Sequence, residues 1–318
     1  MGLNRAFKIK VGGKLFDYRL GQDLDLEPAR NFFSRRYKIL KFWQEGRHVL
    51  GHLEKEGKKL FLKLATSVGI GALTRVEYNW NFEFNKRVPR PQSRFWVPQN
   101  VDSGLYKNDL FYLITDNLEG NLIVDLSGGI KVQKELVESI DDIVEFSEVI
   151  QNLVIKNLRL PDIVSSYDHR KWFFEKTKFW FDDIPKYVVG SYKLHELLRL
   201  VESGVKKLGQ RPRHGDFTPW HIFKLKSGRF GLIDGEHAMT NSVENYDIAY
   251  FIQRIFSVLK SPDFAVQIFM KLIKRGYKVE RLKTVLAARA IGGFLDESQV
   301  RSPNYDYAGS FMDWVLKI

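Results

Sequence analysis

Two short runs late in the chain carry residue types that could work together chemically. The first is His214-Gly215-Asp216-Phe217-Thr218-Pro219-Trp220-His221 and the second is Leu232-Ile233-Asp234-Gly235-Glu236. Asp216 and His221 are five residues apart, and Asp216 and Asp234 eighteen. This is the spacing of a phosphoryl-transfer site, in which one Asp orients the accepting hydroxyl and a later Asp holds metal ions that bridge the phosphates of ATP. Phosphoryl transfer needs little covalent help from a protein. It needs a positioned nucleophile and positive charge on the phosphate oxygens. A carboxylate at Asp216 can accept a hydrogen bond from a substrate hydroxyl and take its proton late. Asp234 follows the apolar residues Phe230, Leu232 and Ile233, which read as a strand end that fixes a carboxylate rigidly. Magnesium takes hard oxygen ligands in near-octahedral geometry, so a rigid Asp suits it. The plain alternative is a surface turn followed by an unrelated acid, and the apolar strand leading into the second Asp speaks against it.

The elements that must position these residues can be read from periodicity. Residues Phe7 to Val11 and Lys14 to Leu20 alternate around Gly12-Gly13, a hairpin signal. A short helix is expected after Pro28. Strand-like runs follow at Tyr37 to Trp43, Arg47 to Leu53 and Lys59 to Ala65, then a helix from Leu73 that ends before Pro89. Two further strands are expected at about Phe95 to Asn100 and at Leu110 to Thr115. From Lys131 the pattern turns helical, with Leu136, Ile140, Ile143, Val144, Phe146, Ile150, Leu153 and Val154 on one face. Later helices are expected over Tyr192 to Leu208, Asp247 to Leu259, Phe264 to Lys274, Val279 to Ile291 and on to Leu316.

The 318 residues suffice for one large domain or two lobes, and an apolar fraction of 44% argues against global disorder. With no Cys, disulfide frameworks, thiolate metal sites and Cys nucleophiles are excluded. The start, Met1 to Ala6, has neither an apolar signal core nor the Ser or Thr of a myristoylation motif, and no apolar run approaches membrane-spanning length. A cytoplasmic protein without membrane insertion is the expectation. The net charge of +12 is spread in pairs such as Arg35-Arg36 and Lys58-Lys59. No nucleic-acid motif accompanies it, so no nucleic-acid partner is expected, and a solvated basic surface is the plain reading.

The run HGDFTPWH followed by LIDGE resembles the catalytic loop and metal-binding strand of the aminoglycoside phosphotransferase and choline kinase family. The resemblance spans nearly the whole chain after Tyr37, although its specific motifs occupy a few short segments. It implies an α+β, bilobal protein-kinase-like fold, with an N-terminal antiparallel sheet plus one helix and a mainly helical C-terminal lobe. Residues 1–116 would form the nucleotide-binding lobe, with 1–36 an added hairpin and connector, and residues 117–318 the catalytic and substrate-binding lobe. It implies Asp216 as catalytic base, Asp234 as metal ligand, ATP and Mg2+ as cofactors, and a small-molecule hydroxyl acceptor as partner.

Further residues are read beside the resemblance. Lys63, inside Leu60-Phe61-Leu62-Lys63-Leu64-Ala65, would contact the nucleotide phosphates, and Glu77 on the next helix would partner it. A solvent-facing strand Lys is the alternative. Thr115, Asn117 and Leu118, within Leu113 to Gly120, would form the hinge whose backbone holds an adenine edge. The phosphate loop would be Gln44-Glu45-Gly46-Arg47-His48, with a single Gly. Asp247 would support the catalytic loop, and Glu236 is either a second metal ligand or a solvated acid. His221 departs from the family, which has Asn there. It either ligates metal directly and favours Mn2+, holds a water on the metal, or marks a lost metal site. The last possibility keeps open a catalytically weak pseudokinase that binds nucleotide as an interaction module. The aromatic stretch Trp172 to Phe174 and Phe179 to Phe181 reads first as helix packing, and second as a pocket for a cationic head group.

Overall fold

The computed structural model describes residues 6–129, 132–156, 158–161 and 167–318. Residues 1–5, read above for a leader, and Lys131, read as the start of the helical half, lie outside the described residues.

Five strands form one antiparallel sheet, in the spatial order Lys38–Glu45, His48–Lys55, Lys58–Ala65, Leu110–Asp116, Asn100–Tyr106. Gly46 and Gly57 close its first two turns at φ 55° and 74°, in the left-handed region that glycine enters without penalty. Alternation along Lys58–Ala65 sorts its side chains between two faces. Leu60, Leu62 and Leu64 are buried with Val49, Leu53 and Tyr112 under Phe33 of the helix Leu26–Ser34. Lys63 therefore emerges on the opposite face, toward the cleft.

The helix Val68–Arg87 starts one turn earlier than its sequence pattern suggests, because Ser67 caps it by accepting the Ile70 N–H. Glu77, Trp80 and Phe84 lie three and four residues apart and so share a face. Trp80 and Phe84 are fully buried in the main core with Phe95, Phe146 and Phe217, so this helix joins the two halves.

One strand expectation needs correction. The segment expected at Phe95 to Asn100 is not one strand of the N-terminal sheet. Phe95–Trp96 pairs in parallel with Phe230–Leu232, and the strand that enters the five-stranded sheet is Asn100–Tyr106. Pro98 separates them and removes a ladder donor, which is why the run breaks there. The sheet Phe95–Trp96, Phe230–Leu232, Ile222–Leu225, Gly120–Leu122 thereby draws on both halves and carries the two motif runs.

The helices Ile140–Gln151, His169–Asp182, His195–Gly204, Tyr246–Gln253, Pro262–Lys274, Val279–Glu297 and Asp306–Lys317 make up most of the C-terminal half. Val279–Glu297 is buried on nearly every face from Leu282 to Leu295, as a helix surrounded by others must be. No helix among the described residues is long and apolar enough to cross a membrane.

The N-terminal hairpin, Lys8–Val11 with Lys14–Asp17, docks across both halves. Ile9 is buried with Leu73 of the N-terminal helix and with Leu160 and Met239 of the C-terminal half. Phe16 lies against Gly69, where a Cβ would come within 2.5 Å of the Phe16 Cβ. Gly69→Ala should therefore lift the hairpin, lower stability by about 1–3 kcal/mol and speed tryptic cleavage near Lys14. Unchanged thermal unfolding and digestion rates would show that the hairpin tolerates the contact.

Candidate active site

The two motif runs meet at a cleft between the halves. Asp234 ends the strand Phe230–Leu232 in a left-handed conformation, φ 68° and ψ 50°, which a non-glycine residue holds only at some strain. Gly235 follows because a Cβ there would lie 2.4 Å from Trp80 Cδ1. Gly215, at φ 89°, passes so close to His237 that a Cβ would sit 2.3 Å from its carbonyl oxygen. The Asp247 carboxylate accepts the N–H groups of His214 at 2.7 Å and Gly215 at 2.8 Å, and this fixes the loop that carries Asp216. Burial pushes the Asp247 carboxyl up to about 6, with those two amides holding it down.

Lys63 is the centre of an ion cluster. Its Nζ lies 2.7 Å from Glu77 Oε2, 2.6 Å from Asp234 Oδ1 and 2.9 Å from Glu236 Oε1. Burial works against its charge, but the three carboxylates overcome that and raise its pKa well above the ordinary value. Glu77 is pushed up to about 7 by burial, against the pull of Lys63. Burial also acts to raise Asp234, yet Lys63 brings it below the usual carboxylate range. Glu236 is completely buried, so it is not a solvated acid. Besides Lys63 it is engaged by Arg47 Nη2 at 2.5 Å and His48 Nε2 at 3.2 Å. These contacts tie the single-glycine turn down onto the Asp234 segment.

His221 stands between the two aspartates. Its Nδ1 is 3.1 Å from the Asp216 carbonyl oxygen, which can only accept, so Nδ1 carries the hydrogen in that contact. Its Nε2 lies 3.7 Å from Asp234 Oδ2. One ligand atom from each of Asp216, His221 and Asp234 lies within 4.8 Å of the others, and Glu77, Asp234 and Glu236 form a second such group. In the second group Lys63 Nζ already fills the space between the oxygens, whereas the first has no fixed cation inside it. Four carboxylates (Glu77, Asp216, Asp234, Glu236) against two fixed cations (Lys63, Arg47) leave a formal charge of −2 with all acids ionised. That charge repels a phosphate chain and suits a divalent ion between Asp234 and His221 Nε2.

Two chambers flank this centre. The larger, about 720 Å³, is lined by Arg47, Lys63, Thr115, Asn117, Leu118, His221 and Asp234, among others. In the segment 115–118 the N–H groups of Asp116 and Asn117 are already bonded to the carbonyls of Gln99 and Lys59. Among the described residues no hydrogen bond from the Leu118 N–H is found. The smaller chamber, about 210 Å³, holds Asp216 and is roofed by Phe7, Lys8, Ile9 and Tyr18 of the N-terminal segment. Asp216 thus faces the small chamber and Asp234 the large one. Burial raises the Asp216 carboxyl, with His221 opposing.

Sequence reading assigned no role to several residues found here. Arg47 and His48 were only part of a weak glycine turn, yet they hold Glu236. Arg213, just before the first motif run, and Arg289, inside a long helix, both line the small chamber. Arg289 lies in the apolar run Ala287-Ala288-Arg289-Ala290-Ile291, whereas the polar neighbours of Arg213 give no signal.

No family model matches the sequence, and no curated protein matches it. Solved structures do match. A thermostable variant of aminoglycoside phosphotransferase APH(4)-Ia, in ternary complex with ADP and hygromycin B, aligns at TM-score 0.66 and 14% identity over 91% of this chain and 97% of that one. An aminoglycoside 2'-phosphotransferase-IIIa variant with GDP aligns at TM-score 0.60 and 12% identity over 92% and 97%. Choline kinase LicA from Streptococcus pneumoniae aligns at TM-score 0.53 and 14% identity over 92% and 97%. The chain has the bilobal α+β fold of these small-molecule kinases, with the antiparallel N-terminal sheet and the helical C-terminal half expected of it.

His214 is fully buried against Trp80, at 5.5 Å between ring centroids, and both of its ring nitrogens lack partners. Burial drives its pKa down to about 3. In the unfolded chain it binds a proton below about 6.5. Between these values the unfolded state holds the extra proton, so the contribution of His214 to stability is complete above pH 6.5 and is lost as pH falls toward 3. Replacing His214 with Asn, which cannot charge, should flatten the dependence of unfolding free energy on pH between 4 and 6. An unchanged slope in denaturant titrations would show that other groups set the acid limit.

Proposed function

We propose that this chain is an ATP-dependent phosphotransferase that moves the γ-phosphate to a hydroxyl of a small molecule. The observation that carries this reading is the convergence of Asp216, His221, Asp234 and the Lys63–Glu77 pair at the junction of two chambers. The large chamber would take the nucleotide, with the Leu118 N–H toward the adenine edge and Lys63 toward the phosphates. The small one would take the acceptor. The acceptor oxygen would bond to the γ-phosphorus as the bond to the β-phosphate oxygen breaks. ADP would leave, and the hydroxyl proton would pass to Asp216, whose raised pKa suits it to that role. In this reading residues 1–116 serve nucleotide binding, residues 117–318 serve catalysis and acceptor binding, and the setting is the cytoplasm, where ATP is at hand.

The donor set fits a divalent ion, Mg2+ or Mn2+. Asp234 and the His221 Nε2 lone pair would hold it, and it would supply positive charge on the phosphate oxygens. The 3.7 Å between the nitrogen and the oxygen leaves both within reach of one ion. Glu236, held by Lys63, Arg47 and His48, would act through Lys63 rather than on the ion. The same His221, packed between the two aspartates, is what favours the second reading, a nucleotide-binding module with little turnover.

Asp216→Asn should lower ADP release by about 10²–10⁴-fold while nucleotide binding, followed by calorimetry, stays intact. Wild-type turnover no faster than that of this variant, across a panel of alcohols, would establish the second reading. In a separate comparison, His221→Asn should remain active and move its metal preference from Mn2+ toward Mg2+. Identical Mg2+ and Mn2+ activation curves for the two proteins would remove His221 from the metal.

A further inference from the structure

The small chamber contains two buried guanidinium groups whose N–H donors are only partly bonded. Arg213, at the end of the strand Gln210–Arg213, is 4% exposed, and Arg289, in the helix Val279–Glu297, is 5% exposed. Nε and Nη1 of Arg213 and Nε of Arg289 lack hydrogen-bond partners. The hydrogen bond found for the Arg289 side chain runs from Nη1 to the Tyr246 hydroxyl at 3.2 Å. Among the described residues neither forms an ion pair. The acids nearby have other partners: Asp296 pairs with Arg254 at 2.7 Å, exposed Glu175 lies 3.9 Å from Lys171, Asp216 lies 3.6 Å from His221, and Asp247, whose charge also acts on Arg213, holds the backbone of His214 and Gly215.

Aromatic rings make these buried cations tolerable. Arg289 lies 3.8 Å from the ring centre of Tyr250 and 4.9 Å from that of Trp180, and Arg213 lies 4.0 Å from Tyr246 and 5.0 Å from Trp172. Ring faces offset part of the lost hydration, but they offer nothing to the in-plane N–H groups of a guanidinium. The same rings are thereby already occupied by cations of the chain, so an ammonium ligand would meet filled faces and two like charges. A buried charge without a partner is strongly destabilising, and an incoming anion would relieve it.

From this we infer that the acceptor carries an anionic oxygen group, a carboxylate or a phosphate, bound by Arg213 and Arg289 while its hydroxyl faces Asp216. The inference rests on the phosphotransferase reading and names its acceptor class. A forked guanidinium matches a carboxylate or phosphate with two parallel N–H donors, which also fixes orientation. A cavity of about 210 Å³ limits the acceptor to a small molecule. Arg213 and Arg289 both face Tyr246, at 4.0 and 5.8 Å from its ring centre, so one anion can lie near both.

The test uses four alcohols of similar size: glycerol, ethanolamine, glycerate and glycerol 3-phosphate. With wild-type protein and ATP, ADP release should be at least about tenfold more efficient in kcat/KM, equivalent to 1.4 kcal/mol, for glycerate or glycerol 3-phosphate than for glycerol. The arm that responds tells carboxylate from phosphate. Arg289→Gln and Arg213→Gln should raise KM for that acceptor far more than they lower kcat, and Arg289→Lys, which keeps the charge and loses the fork, should fall between. Calorimetry on the protein loaded with a non-hydrolysable ATP analogue gives a readout without turnover. Anion binding there, weakened by Arg289→Gln, upholds the inference even if no ADP forms, in which case the transfer reading alone fails. Turnover with glycerol or ethanolamine as the best acceptor overturns the inference and leaves the transfer reading standing. Absence of anion binding in both assays, or an anion preference untouched in all three variants, also overturns it.

Discussion

Lys63 has to satisfy three carboxylates at once, and the arrangement of the site follows from that demand. Glu77 comes from the helix Val68–Arg87, Asp234 from just past the strand Phe230–Leu232, and Glu236 from the turn after it. Each carboxylate alone would be a routine partner. Together, in a place with little water, they can remain ionised only if the cation stays where it is, because removing one member of a buried charge set costs about 3–5 kcal/mol. Lys63 therefore does more than contact a ligand. It holds the sheet, the helix and the motif strand in one register, and Arg47 and His48 extend the grip through Glu236 to the turn above the cleft.

The same crowding of negative charge favours a cation over an anion in the cleft. Under the proposed transfer, a phosphate chain would have to bring positive charge with it. The residues able to share such a cation are those whose lone pairs are not already committed to Lys63. That criterion selects His221 Nε2 and the outer oxygen of Asp234, and it leaves Glu236 with a supporting role.

Much of this was legible in the sequence, for identifiable reasons. Asp216, His221 and Asp234 lie within one run of chain, so their spacing alone puts them near one another. Lys63 and Glu77 could be expected only through the family resemblance, which asks for a Lys on the third strand and an acid early in the next helix. The break at Pro98 was misjudged because a two-residue strand borrowed by the other sheet leaves no periodic trace. Burial of Glu236 was out of reach for a related reason. Whether an acid two residues past Asp234 faces water or Arg47 depends on a contact across 189 positions of chain. Arg213 and Arg289 likewise stand out only once the fold brings Trp172, Trp180, Tyr246 and Tyr250 around them.

The hairpin at the start of the chain covers the small chamber and grips both halves, through Phe16 on Gly69 and Ile9 on Leu160 and Met239. A lid anchored on both sides of a hinge resists rotation of one half against the other. Opening the cleft and uncovering the small chamber are thus opposed by the same set of apolar contacts. Under the proposed transfer, both products would leave past those contacts, and detachment of two short strands would compete with bond breaking for the slowest step.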